Sequence, residues 1–388
     1  MQHKYHTPVA DIWSLERKMK VWTTIELLNL ECWDRKIGEE ASKALTPTPF
    51  NPNLWLGIAQ QMEIGEEKRG HEVEAYIDVL NGYYQTGLWH KGLASSDLVE
   101  CWLADCIKRS REFIWEAQER LSKALTKLRE CEGANALETG ITHGQVAEPM
   151  TWGWRIDNWR TMLQVGPVMW VPGKVSGAVG TGVVTHPDVA AVVHLALDID
   201  MAAQAGQIVM RNRMTDALNN LSTQVCTVEK IANDLRVLFT GGRIGISNPP
   251  VGSSSMPHKV NPYEIERIIG MCKMVTSMIH CVNTTNADNW LERDLVHSSV
   301  EREFLPMIFN HAYYAVNRLA EIVDRVELRI TGIPDWAWSS IALADRLKHR
   351  ADRAEERKKS QTTTADERQL YARRVKNAVA GDTKATDG

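Results

Sequence analysis

Four stretches of the chain are apolar at every third or fourth residue over distances that only long helices can use. Between Leu98 and Cys131 the positions Leu103, Ile107, Ile114, Ala117, Leu121, Leu125 and Leu128 recur on such steps with charges between them, which lines one helical face with hydrocarbon. The same spacing runs through Leu218, Leu221, Val225, Val228, Leu235 and Leu238, and through Ile265, Ile268, Cys272, Val275 and Ile279. A fourth stripe takes in Val300, Phe304, Ile308, Ala315, Leu319, Ile322 and Val326. No βαβ pattern interrupts them, and sheet-like alternation is confined to short hairpins expected near Val171 to Val184. The predicted class is all-α, built on an elongated central helix bundle.

A smaller helical domain is expected over residues 1–93, where Trp13, Trp22, Ile25, Leu28 and Trp33 recur at near-helical intervals. Pro47, Pro49 and Pro52 break the chain there, and Val73, Ile77 and Leu80 mark a second helix. The bundle then occupies 94–329, and 330–388 is a short, charge-rich C-terminal helical region ending in a polar tail expected to be disordered. A chain of 388 residues, 44% hydrophobic, has enough apolar surface for such a core. Its net charge of -4 offers no basic footprint, which argues against nucleic acid as a partner. Seven cysteines without a C-x-x-C pair suit a reducing compartment better than a disulfide framework or structural zinc. The most apolar run, Val189 to Val209, is interrupted by His194, Asp198 and Asp200, and the N-terminus lacks a signal-like stretch. A cytoplasmic protein without membrane contact is expected, and no residue pattern calls for a metal or a cofactor.

The segment from Thr240 to Asn261 is crowded with glycine, serine and proline and reads as a long loop between helices. Asn261 is a good N-cap and Pro262 suits a first helical position, so Glu266 falls in the early turns of the next helix. Within the loop, Gly252-Ser253-Ser254-Ser255-Met256-Pro257-His258-Lys259-Val260-Asn261, with Glu266 seven residues after the lysine, resembles the signature of the fumarase/aspartase superfamily. The histidine before Lys259 is similar to the variant in adenylosuccinate lyases and carboxymuconate cycloisomerases.

Other segments match in the same order. Lys4-Tyr5 resembles the phosphate-binding Arg-Tyr pair of adenylosuccinate lyases, with a point charge in place of a bidentate fork. His71-Glu72 resembles a His-Asp pair, and His90 with Ser95 and Ser96 resembles a His-x-Gly-Leu-Thr-Ser segment in which Ala94 replaces threonine. Thr142-His143-Gly144 resembles Arg-Thr-His-Gly, with Ile141 in place of arginine, and Gln207 occupies the position of a substrate-binding glutamine. The glycine-rich segment from Gly173 to Gly180 also matches and reads as scaffold near the site. Arg293, Ser298 and Arg302 resemble the segment that holds a nucleotide phosphate. Ser298 and Arg302 lie one turn apart at the start of a helix, where free N–H groups and the dipole favour an anion.

The resemblance implies an enzyme that eliminates across a C–N bond of a succinyl-purine nucleotide, releasing fumarate, in a homotetramer with shared sites and without a cofactor. It implies Ser253 as the base, His143 as the acid with Glu266 orienting it, and Lys259 and Asn261 on the substrate carboxylate. Ser254, Lys4, Tyr5, His71, Glu72, His90, Ser95, Ser96, Thr142, Gln207, Arg293, Ser298 and Arg302 complete the binding set. Two alternatives stay open: another lyase or cycloisomerase of the superfamily, and an inactive structural homologue.

Overall fold

A computed structural model describes residues 4–45, 54–163, 170–248, 256, 259–335, 337–338 and 365–380. Helices dominate, and side-chain caps mark several of their starts. Thr7 Oγ1 accepts the Val9 amide at α1 (Pro8–Ile12), Ser14 Oγ accepts the Arg17 amide at α2 (Leu15–Trp33), and His71 opens α5 (Glu72–Tyr83). The cap at Ser14 splits the tryptophan stripe after Trp13. Between these lie α3 (Arg35–Leu45) and α4 (Leu54–Arg69). No helix among the described residues is long and apolar enough to cross a membrane.

The chain divides into two packed units. The first comprises Met1–Ala117, Gly166–Cys226 and Gly270–Val316, and the second Gln118–Val165, Thr227–Ile269 and Asn317–Gly388. Four long helices contribute to both: α6 (Ser95–Glu130), α9 (Asn212–Thr240), α10 (Tyr263–Ala287) and α11 (Val296–Val323).

In the first unit α2 packs against α3, α4 and α8 (Val189–Leu197), burying Met19, Trp22, Ile25 and Leu30 completely. Trp13 stacks on Phe309 at 5.5 Å and donates its indole N–H to Ser110. The second unit holds two small sheets. Strands β1 (Leu137–Thr142) and β2 (Gln145–Thr151) form an antiparallel hairpin, and β3 (Ile244–Ile246) pairs antiparallel with β4 (Val326–Leu328). Helix α7 (Trp152–Met162) buries Trp152 and Trp159, and Trp159 donates to Asp234 on α9 at 2.8 Å. Near the end, Tyr371 of α12 (Ala365–Ala380) packs with Trp338, Leu137 and Ile333.

The apolar stripes of α6, α9 and α10 are buried as the spacing predicts. On α11 the stripe runs through Leu305, Ile308, Phe309, Ala312, Ala315 and Leu319, while Val300 and Phe304 are half-buried and Val326 lies past the helix end, in β4. The expected hairpin near Val171 to Val184 is absent from the described residues, where only a bridge from Gly173 to Met201 forms. The hairpin sits at 137–151 instead, because His143 and Gly144 both take positive φ, 51° and 74°, as the right-handed twist of a two-residue turn demands. The loop expected from Thr240 to Asn261 is also interrupted, since β4 pairs with Ile244–Ile246. Helix α10 begins at Tyr263, one residue beyond Pro262.

Candidate active site

Two histidines of the first unit are each fixed through Nδ1 by a hydrogen-bonded partner. His71 caps α5: its Nδ1 accepts the Glu74 amide at 3.2 Å, which leaves the proton on Nε2 as a donor. His90, at φ 59°, is gripped by the fully buried Glu26, whose Oε2 accepts the His90 amide at 2.8 Å and whose Oε1 lies 2.6 Å from Nδ1. A carboxylate only accepts, so Nδ1 of His90 carries a proton.

A buried lysine organises the next group. Lys174, 1% exposed, reaches Asp97 Oδ1 at 2.6 Å and the carbonyls of Gly177 and Gln207 at 2.9 and 2.8 Å, with Ser96 Oγ at 3.4 Å. Asp97 in turn accepts the amides of Ala94, Ser176 and Gly177. Half-buried Ser95 lies at the start of this turn, at the first residue of α6. The scaffold reading of the Gly173 to Gly180 segment thus has a physical basis: it anchors the backbone of Gln207. The Gln207 amide donates to the Glu292 carbonyl, and its side-chain oxygen accepts Arg293 Nη1 at 2.6 Å. Gly206 is needed for this approach, because a Cβ there would lie 2.6 Å from the Glu292 carbonyl oxygen. His71, Ala178, Gln207, Arg293 and the turn from Trp290 to Val296 line a cleft of about 990 Å³.

At the start of α11 the structure amends the expectation of free N–H groups. Asp294 Oδ1 already accepts the Val296 amide, and the Ser298 amide donates to the Leu295 carbonyl. Half-buried Ser298 sits in this first turn. Arg302 Nη2 lies 3.4 Å from Glu72 Oε2, and Lys18 holds the other oxygen of Glu72. Lys4 and Tyr5 stand farther along: the Tyr5 ring packs on His311 and Tyr314, about 14 Å of helix rise beyond Arg302.

In the second unit Thr142 and His143 occupy the exposed tip of the β1–β2 hairpin. Lys259 and Glu266 are exposed and Asn261 is half-buried, with Glu266 in the first turn of α10. Ser253 and Ser254 lie outside the described residues. Among the described residues no group of three or more histidines, cysteines or acids is placed to hold a metal ion.

Sequence reasoning gave no role to Lys18 and Glu26, and it met Asp97, Lys174 and Asp294 only as members of longer motifs. A signal existed for the first two, since Lys18 and Glu26 interrupt the apolar positions Met19, Trp22, Ile25 and Leu30 on α2 and are buried with them.

Beneath Ser298 and Arg302, the buried Arg211 binds both oxygens of Glu100 at 2.8 Å and Glu301 at 2.9 Å. Two carboxylates share one guanidinium. Burial pushes Glu301 up to about 7, opposed by Arg211. Burial and the charge of Arg211 push the neighbouring His297 down to about 4. The two act oppositely on folding. Glu301 contributes stability that is complete below its ordinary 4.5 and is lost as pH rises through about 7. His297 contributes stability that is complete above its ordinary 6.5 and is lost as pH falls through about 4. Thermal midpoints measured from pH 4 to 8 should therefore fall on acidification in Glu301→Gln, and fall toward alkaline pH in His297→Asn. Parallel curves for wild type and both variants would remove these assignments.

Comparison with known families matches residues 56–277, more than half of the chain, to the lyase family. An adenylosuccinate lyase of Staphylococcus saprophyticus is 31% identical over 335 residues, 82% of this chain and 75% of that one. An adenylosuccinate lyase of Aquifex aeolicus is 30% identical over 334 residues, 81% and 74% of the two chains. Among solved structures, a fumarate lyase from Mesorhizobium sp. BNC1 superposes with a TM-score of 0.73 at 14% identity, covering 99% of this chain and 89% of that one. A 3-carboxy-cis,cis-muconate lactonizing enzyme from Pseudomonas putida gives 0.72 at 20% identity, covering 97% and 89%. These two likenesses speak for the fold.

Proposed function

Because this chain belongs to the lyase family of the fumarase/aspartase superfamily, we propose that it is an adenylosuccinate lyase-like enzyme that releases fumarate from a succinyl-purine nucleotide. The observation that carries the reading is the convergence of Arg293, Gln207 and His71 on one cleft, with Ser298 and Arg302 following on α11. Guanidinium groups match phosphate geometry, and a substrate without phosphate gives them no task. The other lyases and cycloisomerases of the superfamily are not favoured, since two relatives at least 30% identical over about four fifths of the chain are both adenylosuccinate lyases.

The chemistry follows from the residue types. Ser253, activated by Lys259 and by loop closure that excludes water, takes the proton from the carbon beta to the leaving nitrogen. The electron pair of that C–H bond forms the double bond of fumarate, and the C–N bond breaks. Lys259 and Asn261 stabilise the carboxylate as it gathers charge in the transition state. His143 donates a proton to the departing purine nitrogen, and Glu266 orients its ring. Thr142, Ser95, Ser96, Ser254, His71, Glu72, His90 and Gln207 position the substrate, and Lys4, Tyr5, Arg293, Ser298 and Arg302 hold its phosphate. The assembly is a homotetramer in which different subunits supply the segments around His71 to Ser95, His143, and Ser253 to Glu266. Within each subunit, 1–93, 94–329 and 330–388 form the N-terminal domain, the bundle and the C-terminal region. The seven unpaired cysteines suit a reducing cytoplasm.

The test is an absorbance assay for fumarate release by the purified protein, with the nucleotide and its phosphate-free nucleoside as substrates. The wild type should strongly prefer the nucleotide. Arg302→Ala should cut that preference by roughly tenfold or more, because a hydrogen bond to a charged group contributes about 1.5 to 3 kcal/mol. Equal preference in both proteins would detach Arg302 from phosphate.

A further inference from the structure

The Glu72 carboxylate is shared between two cations of unequal exposure. Lys18 on α2 holds Oε1, its side chain 9% exposed, with Nζ 4.6 Å from the Trp22 ring centroid and 4.9 Å from that of Trp102 on α6. Arg302 on α11 faces Oε2 at 3.4 Å with 52% of its side chain exposed, and Glu66 on α4 lies 3.8 Å from it. A buried ammonium is stable only when paired, and here one carboxylate and two ring faces supply the pairing. The pairing has a consequence for Arg302. Its contact with Glu72, at 3.4 Å, is longer than the usual charge-assisted bond of about 2.7–2.9 Å, and Glu72 is already neutralised from the other side. Without Lys18, the two acids would outweigh the one guanidinium, and Glu72 would turn wholly to Arg302.

We propose that Lys18 is a positioning residue for phosphate recognition: by holding and neutralising Glu72, it leaves the exposed guanidinium of Arg302 available to a phosphate monoester. The inference rests on the nucleotide reading above. Burial holds the Lys18 pKa below its ordinary value, with Glu72 and Glu66 opposing and Arg302 assisting. Phosphate affinity should therefore decline at alkaline pH as Lys18 loses its charge, and Lys18→Arg, charged throughout, should flatten that decline.

Calorimetric titration of the full chain with AMP, adenosine and inorganic phosphate tests the proposal. Lys18→Met should weaken AMP tenfold or more and leave adenosine unchanged, whereas Lys18→Arg should keep AMP affinity. Adding Glu72→Gln to Lys18→Met should restore the binding of inorganic phosphate, a readout free of any contact between Glu72 and the rest of the nucleotide, since the uncompensated competitor for Arg302 is then gone. A Lys18→Met protein that binds AMP like the wild type, or loses AMP and adenosine equally, overturns the proposal, as does a double variant that binds inorganic phosphate no better than the single one. Should Lys18→Met not fold, Glu72→Gln alone decides: inorganic phosphate should bind more tightly, and unchanged or weaker binding overturns the role. A wild type that neither prefers AMP nor releases fumarate overturns the nucleotide reading and this inference with it. A wild type that does both, beside an unaltered Lys18→Met, overturns the role of Lys18 alone.

Discussion

Ser253→Ala is expected to lower turnover on the order of 10³-fold, within the range that a positioned base contributes, while substrate binding stays nearly intact. The asymmetry follows from when the hydroxyl acts. Its interaction with the carbon-bound proton exists in the transition state and is nearly absent in the ground state, so its loss falls on kcat and kcat/KM together. A factor of 10³ is about 4 kcal/mol of barrier, more than a single neutral hydrogen bond to bound substrate supplies. Single-turnover fumarate release, paired with equilibrium binding of the substrate, separates the two terms. If turnover survives within tenfold of the wild type, the base is elsewhere, with Ser254 the first residue to test. A variant that loses binding and turnover in proportion would make Ser253 a substrate contact only.

The largest loss of stability is expected from Arg211→Met. Arg211 is 4% exposed, Glu100 2% and Glu301 4%, and methionine fills much of the volume while leaving two buried carboxylates without their cation. Breaking a buried pair from one side costs about 3 to 5 kcal/mol, a large part of the stability of an ordinary domain. An exposed pair is the control. Lys127 and Asp324 lie 3.0 Å apart with side chains 73% and 54% exposed, and Lys127→Met should cost less than about 1 kcal/mol because solvent screens the pair. Thermal midpoints of both variants at neutral pH check the contrast. The loss in Arg211→Met should also shrink on acidification, when protons neutralise the stranded carboxylates, and a loss independent of pH would attribute it to packing alone.

The long helices were legible in the chain because burial of one helical face imposes a period of 3.6 residues, and three of the four apolar stripes are buried as that period requires. The exception is instructive. On α11 the apolar positions Val300 and Phe304 belong to the same period as Ile308, yet they are only half-buried beside Arg302, so periodicity marked the face without its extent. The hairpin at 137–151 was missed although His143-Gly144 carries a two-residue turn. Gly140 breaks the register between Thr139 and Ile141, and a β-strand this irregular has too few alternating positions to stand out. The order of the motifs around His71, His90, Gln207 and Arg293 was also readable, since it lies in residue type and spacing.

What the sequence by itself determined is the helical class, the apolar faces of the long helices and the residue types available for chemistry. Only the tertiary structure decided which charges meet. Glu26 grips His90 from 64 positions away, Glu72 divides its oxygens between Lys18 and Arg302 at separations of 54 and 230, and Arg211 reaches Glu100 across 111. The physical reason is that a charge chooses its partner by distance in space and by how far both are removed from water. Neither quantity has a period along the chain.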